Sequence, residues 1–254
     1  MDITSQLIGT ARAATRARAG AWMRAMPVLA AALLGGCCQV SSRGADAGVQ
    51  RVALLAMLQT LNADLLSHDS ATLTLERWCA DHRLTGDSSS GPARIVARRL
   101  RDAPKPVPDD LRARLDVAAA EPLGYRHVQL VCGARVLSEA DNWYVPSRLT
   151  AAMNLALDTT DEPFGKVVRP LDFRRRTLSA ELLWSPLPAG WEMSANSTSA
   201  REHEPPRIPH ALLRHEAILY TSAQTPFSAV VETYTNQLFD FGEWAVYLDS
   251  VRKR

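Results

Sequence analysis

Two alternating segments on either side of a short glycine turn constrain the fold of this chain most strongly. Residues 125–131 and 136–145 are rich in β-branched, aromatic and alternating apolar side chains, and Cys132-Gly133-Ala134-Arg135 separates them. A period of two is typical of half-buried strands, and a short loop containing glycine joins antiparallel neighbours. The sequence therefore predicts an antiparallel β-hairpin, whose second strand ends at Pro146.

The remaining segments predict further strands and several helices, without βαβ alternation. Apolar residues recur at helical spacing from Val49 to Leu65, and Ser70 or Thr72 could cap a second helix that ends near His82. Further strands are predicted at 93–100, 174–184, 212–221 and 227–238, and short helices at 109–115 and 150–157. Residues 185–209 predict a long exposed loop. This pattern indicates an α+β fold, an antiparallel β-sheet with flanking helices, formed by a single domain over residues 49–254.

The N-terminal segment has the layout of an export signal. Several arginines precede an apolar run that ends at Leu34-Gly35-Gly36-Cys37, which resembles the bacterial lipobox. The resemblance implies cleavage after residue 36 and lipidation of Cys37, with residues 37–48 as a tether. It also implies a place in the cell envelope, anchored by lipid on the periplasmic side of a bacterial membrane. The alternative is a buried Ala/Leu helix that happens to meet a cysteine.

Composition excludes some classes of protein. The chain of 254 residues has a net charge of +2, and residues 1–36 hold four arginines and one aspartate, which leaves the rest at −1. A charge this close to zero argues against a nucleic-acid partner.

Four cysteines are too few for a disulfide scaffold. Cys79 and Cys132 are therefore either a pair or two buried free thiols.

Several short motifs, in order, resemble the chorismate lyase superfamily, which includes chorismate pyruvate-lyase and the effector-binding UTRA domain of certain transcription repressors. The matching segments are Ser70-Ala-Thr-Leu-Thr-Leu, Arg126-His-Val-Gln-Leu, Trp143-Tyr-Val-Pro146, Glu162-Pro-Phe-Gly165 and Val230-Val-Glu-Thr-Tyr234. One position departs from the pattern: the lyase has a basic residue just before the third segment, where this chain has Asn142. The resemblance implies a chorismate-lyase-like fold and a small aromatic or cyclic carboxylate as the ligand.

The resemblance also implies the roles of individual residues. Arg126 would bind the carboxylate, with Phe164 and Gly165 lining the site, and Glu232 would face a hydroxyl group of the ligand. Arg126 and Glu232 are the predicted catalytic pair, without a metal or other cofactor. Glu232 has apolar neighbours in the sequence, and such burial would favour the protonated form that can donate a proton. The reaction implied is conversion of chorismate to 4-hydroxybenzoate and pyruvate.

Two other functions remain open from the sequence. The chain could be a non-catalytic envelope lipoprotein that binds a small ligand, or a structural lipoprotein without one. Glu139 and Asp141 lie two apart on one strand and could act in acid–base chemistry or bind a cation, although a solvated strand face is the simpler interpretation. The histidines match no zinc-site spacing, so no metal is predicted.

Overall fold

The computed structural model describes residues 37–85, 93–101, 104–193 and 206–246, and for residues 37–46 it describes the backbone alone. The predicted export signal at 1–36 therefore lies outside the described residues. The chain divides into two units, and the second, Ser42–Arg254, contains every described strand.

One six-stranded sheet forms the centre of the second unit. Its strands are β1 (Ile95–Leu100), β2 (Gly124–Cys132), β3 (Arg135–Tyr144), β4 (Arg174–Leu182), β5 (Ala211–Tyr220) and β6 (Pro226–Thr235). Their order across the sheet is β1-β2-β3-β6-β5-β4, and all neighbouring strands are antiparallel. The predicted α+β class, an antiparallel sheet with flanking helices, is confirmed. The β2–β3 hairpin turns at Gly133, whose φ of +57° favours glycine.

Five α-helices with both ends described accompany the sheet, and residues 242–246 are also helical. The five are α1 (Cys37–Leu66), α2 (Ala71–Asp81), α3 (Leu111–Arg114), α4 (Ala151–Thr159) and α5 (Phe164–Val167). Ser70 caps α2, because its side chain accepts a hydrogen bond from the backbone N–H of Leu73. Thr150 caps α4 in the same way. None of the described helices has both the length and the hydropathy that crossing a membrane requires.

The first helix differs from its sequence prediction at two points. It begins at Cys37, so the backbone of residues 37–48, expected to form a tether, is helical. Its buried residues are Ala47, Leu54, Leu58, Leu61 and Leu65, whereas Val52 is 48% exposed. The exposure of Val52 shows that the apolar pattern is wider than the stripe that contacts the core.

The largest core cluster packs α1 and α2 against one face of the sheet. It includes Leu58, Leu61, Leu75 and Trp78 from the helices and Leu130 from β2, all of which are buried. A disulfide between Cys79 and Cys132 joins α2 to the end of β2, with their Cα atoms 6.5 Å apart. This separation lies within the usual range for disulfides. The disulfide thus holds the C-terminal end of α2 beside the sheet.

Candidate functional site

A cavity lies between the start of α2, the short helix α5 and the sheet face that α2 covers. Five strands, β2 to β6, contribute side chains to its wall. The structure brings together all four residues predicted to bind a substrate, Arg126, Phe164, Gly165 and Glu232, although they are up to 106 positions apart. The cavity has a volume of about 50 Å³. That exceeds the roughly 10–15 Å³ that one water needs, so the space suits a compact ligand.

Arg126 is the most unusual residue of the cavity. Its side chain projects from β2 on the same face as Val128 and Leu130, which also line the cavity, and the residue is only 2% exposed. All three guanidinium nitrogens are buried without a hydrogen-bond partner among the described residues. Burial, followed by the nearby charge of Arg99, lowers the pKa of Arg126. Arginine nevertheless remains charged in proteins. Among the described residues, the Arg126 guanidinium therefore lacks the hydrogen bonds that a buried charge needs.

Glu232 has a different environment from the one that its sequence neighbours indicate. Its Oε2 accepts a hydrogen bond from Arg175 Nη2 at 2.6 Å and another from the Tyr234 hydroxyl at 3.1 Å. Glu232 is buried, as expected, but a guanidinium and a hydroxyl group lie beside it. Arg175 lies on β4, separated from β6 in the sheet by β5, so no local pattern around Glu232 reveals it. Glu232 as a proton donor stays a prediction.

The neighbouring carboxylate of Glu232 stabilises the positive charge of Arg175. Burial lowers the pKa of Arg175, but the charge of Glu232 and the hydrogen bond to it outweigh this effect and raise the pKa overall. Its backbone N–H also donates to Asp69 Oδ1 at 2.7 Å, which fixes β4 against the start of α2. Its Nε is buried and has no partner within the described structure. Arg175 thus binds Glu232 through Nη2, and its Nε remains available as a donor beside the cavity.

His215 and Tyr234 form a buried polar layer next to Glu232. His215 is opposite Glu232 in the β5–β6 register, and its Nε2 lies 2.9 Å from Asn62 Oδ1. Burial lowers the pKa of His215 to about 4, so the ring is neutral at pH 7. Burial also raises the pKa of Tyr234 well above its usual value, which keeps the hydroxyl protonated as a donor to Glu232.

The N-terminal end of α2 forms one wall of the cavity. Asp69, Ser70, Ala71 and Thr72 line it, and the positive end of the helix dipole lies there. Gly165 packs closely against this wall, since a Cβ at that position would lie 3.2 Å from Ser70 Oγ. Glycine at 165 therefore permits close approach of α5 to α2. The electrostatic effect of the helix end adds to that of Arg126 in favouring an anion.

Sequence reasoning missed part of the site and singled out residues that lie elsewhere. Arg175 is the middle residue of the run Arg174-Arg175-Arg176, and alternation along β4 was the one signal that could have assigned it to the inner face. Asn142, which replaces the expected basic residue, lines the cavity and accepts a hydrogen bond from Ser228 Oγ at 2.7 Å.

The two acidic residues considered as a pair belong to the opposite face of the sheet. Glu139 Oε1 accepts a hydrogen bond from Gln129, and Asp141 accepts from Lys105 and Tyr125. They are not on an edge strand, because β3 lies between β2 and β6. Across the described ranges, no group of three or more His, Cys, Asp or Glu side chains could hold a metal ion.

A close relative defines the family of the chain. The uncharacterized protein y4mC of Sinorhizobium fredii is 55% identical over 196 residues, which cover 76% of this chain and 79% of that protein. The chain belongs to the y4mC family. No family model matches it.

Solved structures give a more distant likeness. The effector domain of PhnF from Mycobacterium smegmatis is 11% identical and gives a TM-score of 0.40 over 66% of this chain and 89% of that one. A GntR-family transcriptional regulator from Enterococcus faecalis is 11% identical, with a TM-score of 0.36 over 57% of this chain and 97% of that one. Likeness at this level carries no argument about the ligand.

Proposed function

We propose that this protein binds a small organic carboxylate, an aromatic or cyclic acid, in the cavity that contains Arg126. The observation that carries the proposal is the Arg126 guanidinium, which is buried in the cavity wall without a partner among the described residues. A carboxylate would accept two parallel hydrogen bonds from it. A ligand of this class would supply the interaction that the described residues do not provide.

The rest of the cavity fits the body of such a ligand. Phe164, Phe173, Leu219 and Val230 give it apolar walls, and each is at most 8% exposed. Aromatic side chains favour stacking or edge contacts with a ring. Glu232, held by Arg175, can accept a hydrogen bond from a hydroxyl group of the ligand. The combination favours a cyclic acid over an inorganic anion.

Ligand-dependent thermal stabilisation tests the binding proposal. We expect 4-hydroxybenzoate to raise the Tm of the wild-type protein saturably, because a ligand that binds only the folded state stabilises it. Arg126→Met should abolish this shift, whereas Arg98→Met, at an exposed arginine of β1, should retain it. An unchanged shift in Arg126→Met would contradict the proposal. Failure of every aromatic acid to stabilise the wild type would favour a structural lipoprotein.

A second candidate function is the lyase reaction, which the presence of Glu232 in the same cavity as Arg126 favours. Loss of pyruvate from chorismate mainly requires that the substrate is held in a reactive shape beside a group that can transfer a proton. Incubation with chorismate should then yield 4-hydroxybenzoate and pyruvate in equal amounts, and Glu232→Gln should slow their release. Binding of 4-hydroxybenzoate without turnover of chorismate would leave the non-catalytic binder.

We also propose that the protein resides in the cell envelope, with Cys37 lipidated and the domain on the periplasmic side of the membrane. The disulfide between Cys79 and Cys132 supports this, because disulfides persist mainly in oxidising compartments. Expression in bacteria with a radiolabelled fatty acid tests it. The label should be lost in Cys37→Ser and retained in Cys38→Ser, which replaces the adjacent cysteine. Equal labelling of both variants would contradict the assignment.

A further inference from the structure

A second cleft lies on the sheet face opposite to the Arg126 cavity. Successive residues of a strand point to opposite faces, so β3 directs Asn142 into the cavity and Trp143 into this cleft. The segment around α3 and the strands β3 to β6 form its walls. Its volume is about 430 Å³, much more than the cavity on the other face. The cleft is thus a separate candidate site.

The floor of the cleft is apolar with one unsatisfied donor. Leu111, Trp143, Ile218 and Ala229 are each at most 5% exposed and belong to the same core cluster. The indole Nε1 of Trp143 is buried and has no hydrogen-bond partner in the part of the chain that the structure describes. Buried indole N–H groups usually find an acceptor. Trp143 therefore brings an unsatisfied donor to the cleft lining, and an acceptor on a bound molecule could satisfy it.

Charged side chains around the cleft are already paired with one another. Six charged residues line it, and they form three ion pairs, Lys105–Asp141 at 2.5 Å, Arg114–Asp110 at 2.5 Å and Arg214–Glu216 at 3.0 Å. Three positive and three negative charges cancel. A charged ligand would have to compete with an existing partner at each of these positions, whereas an uncharged one would not. The charge pattern thus favours a neutral ligand.

We propose that this cleft is a second binding site, for an uncharged small molecule that has an apolar ring and one hydrogen-bond acceptor such as a carbonyl oxygen. The ring packs on Ile218 and Ala229, and the acceptor takes the hydrogen bond from Trp143 Nε1. The ion pairs at the rim stay intact. The site does not depend on the carboxylate proposal, because Trp143 and Arg126 project from opposite faces of the sheet.

Nuclear magnetic resonance of the indole N–H groups tests the site directly, with acetophenone as the probe. The chain has six tryptophans, and the signal of Trp143 is the one that disappears in Trp143→Phe. We expect acetophenone to move the proton signal of Trp143 downfield saturably, as a new hydrogen bond requires, and ethylbenzene, which lacks the carbonyl, to cause no such shift. A signal that does not move up to the solubility limit of acetophenone overturns the proposal.

Variants separate this site from the cavity. Trp143→Phe retains the apolar ring but removes the donor, so it should weaken acetophenone binding roughly tenfold, while 4-hydroxybenzoate binding is unchanged. Leu178→Asp changes a cleft residue that is 42% exposed, so it should fold normally and also weaken acetophenone. Arg126→Met should leave acetophenone binding intact even if the carboxylate proposal fails. Loss of acetophenone binding in Arg126→Met, with Trp143→Phe unaffected, would place the probe in the cavity and overturn the second site.

Discussion

Arg126 shows how one residue links stability to binding in this protein. A buried guanidinium without an ion-pair partner among the described residues costs free energy in the empty protein. The same feature makes the cavity attractive to a carboxylate, since binding restores the interactions that burial removed. The sequence located Arg126 only through a family motif, because alternation alone favours an arginine on a solvated face.

Replacing Arg126 by a side chain of similar length without charge should stabilise the empty protein. We expect Arg126→Met to raise the free energy of unfolding by about 1–4 kcal/mol, because apolar replacements of poorly compensated buried charges often do so. Urea denaturation without ligand measures the change. The exposed control Arg98→Met should alter stability by less than about 0.5 kcal/mol. A large loss of stability in Arg126→Met would show that the guanidinium has a partner.

The Arg175–Glu232 pair should behave as a unit. Arg175→Met leaves a buried carboxylate without its cation and should cost about 3–5 kcal/mol, whereas Arg175→Met combined with Glu232→Leu should recover most of that loss. The exposed Arg174→Met is the matched control, since its ion pair with Asp69 is solvated. Equilibrium unfolding of the wild type, Arg175→Met, Glu232→Leu and the double variant gives the coupling energy. Independent, additive effects would contradict a functional pair.

At the scale of elements, the β2–β3 hairpin was predictable and the contacts between distant elements were not. The period of two and Gly133 specify the hairpin locally, and the structure contains it. The position of Arg175 depends on the order β3-β6-β5-β4, in which strands far apart in the sequence become neighbours. The sequence predicted a tether at residues 37–48, where the structure has the first part of α1. Small and polar residues in this segment are compatible with either a tether or a helix end.

The disulfide connects two elements that define the cavity, since α2 supplies its wall and β2 carries Arg126. Replacing both Cys79 and Cys132 by alanine should lower the free energy of unfolding by up to about 4 kcal/mol, the chain-entropy value for a loop of this length. The cysteines are 53 positions apart. Urea unfolding with and without dithiothreitol measures the effect, and reductant should destabilise the wild type but not the double variant. Equal sensitivity of the two proteins would show that the pair does not form.

For the molecule as a whole, burial of His215 makes stability depend on pH. The pKa of His215 is lowered from 6.5 to about 4 in the folded protein. Between these values the unfolded chain binds a proton that the folded chain does not, so stability should fall as the pH decreases from about 6.5 to about 4. The loss contributed by His215 is about 3 kcal/mol by proton linkage. His215→Gln should flatten this slope and the exposed His210→Gln should not, whereas equal slopes in all three proteins would contradict the assignment.

The most direct measurement for the whole account is a crystal structure of the wild-type protein with 4-hydroxybenzoate. We expect the ligand to occupy the cavity between α2 and the sheet, with both carboxylate oxygens about 2.7–2.9 Å from Arg126 nitrogens, the distance of charge-assisted hydrogen bonds. An empty cavity at saturating ligand would contradict it, as would a ligand in the cavity with its carboxylate directed away from Arg126.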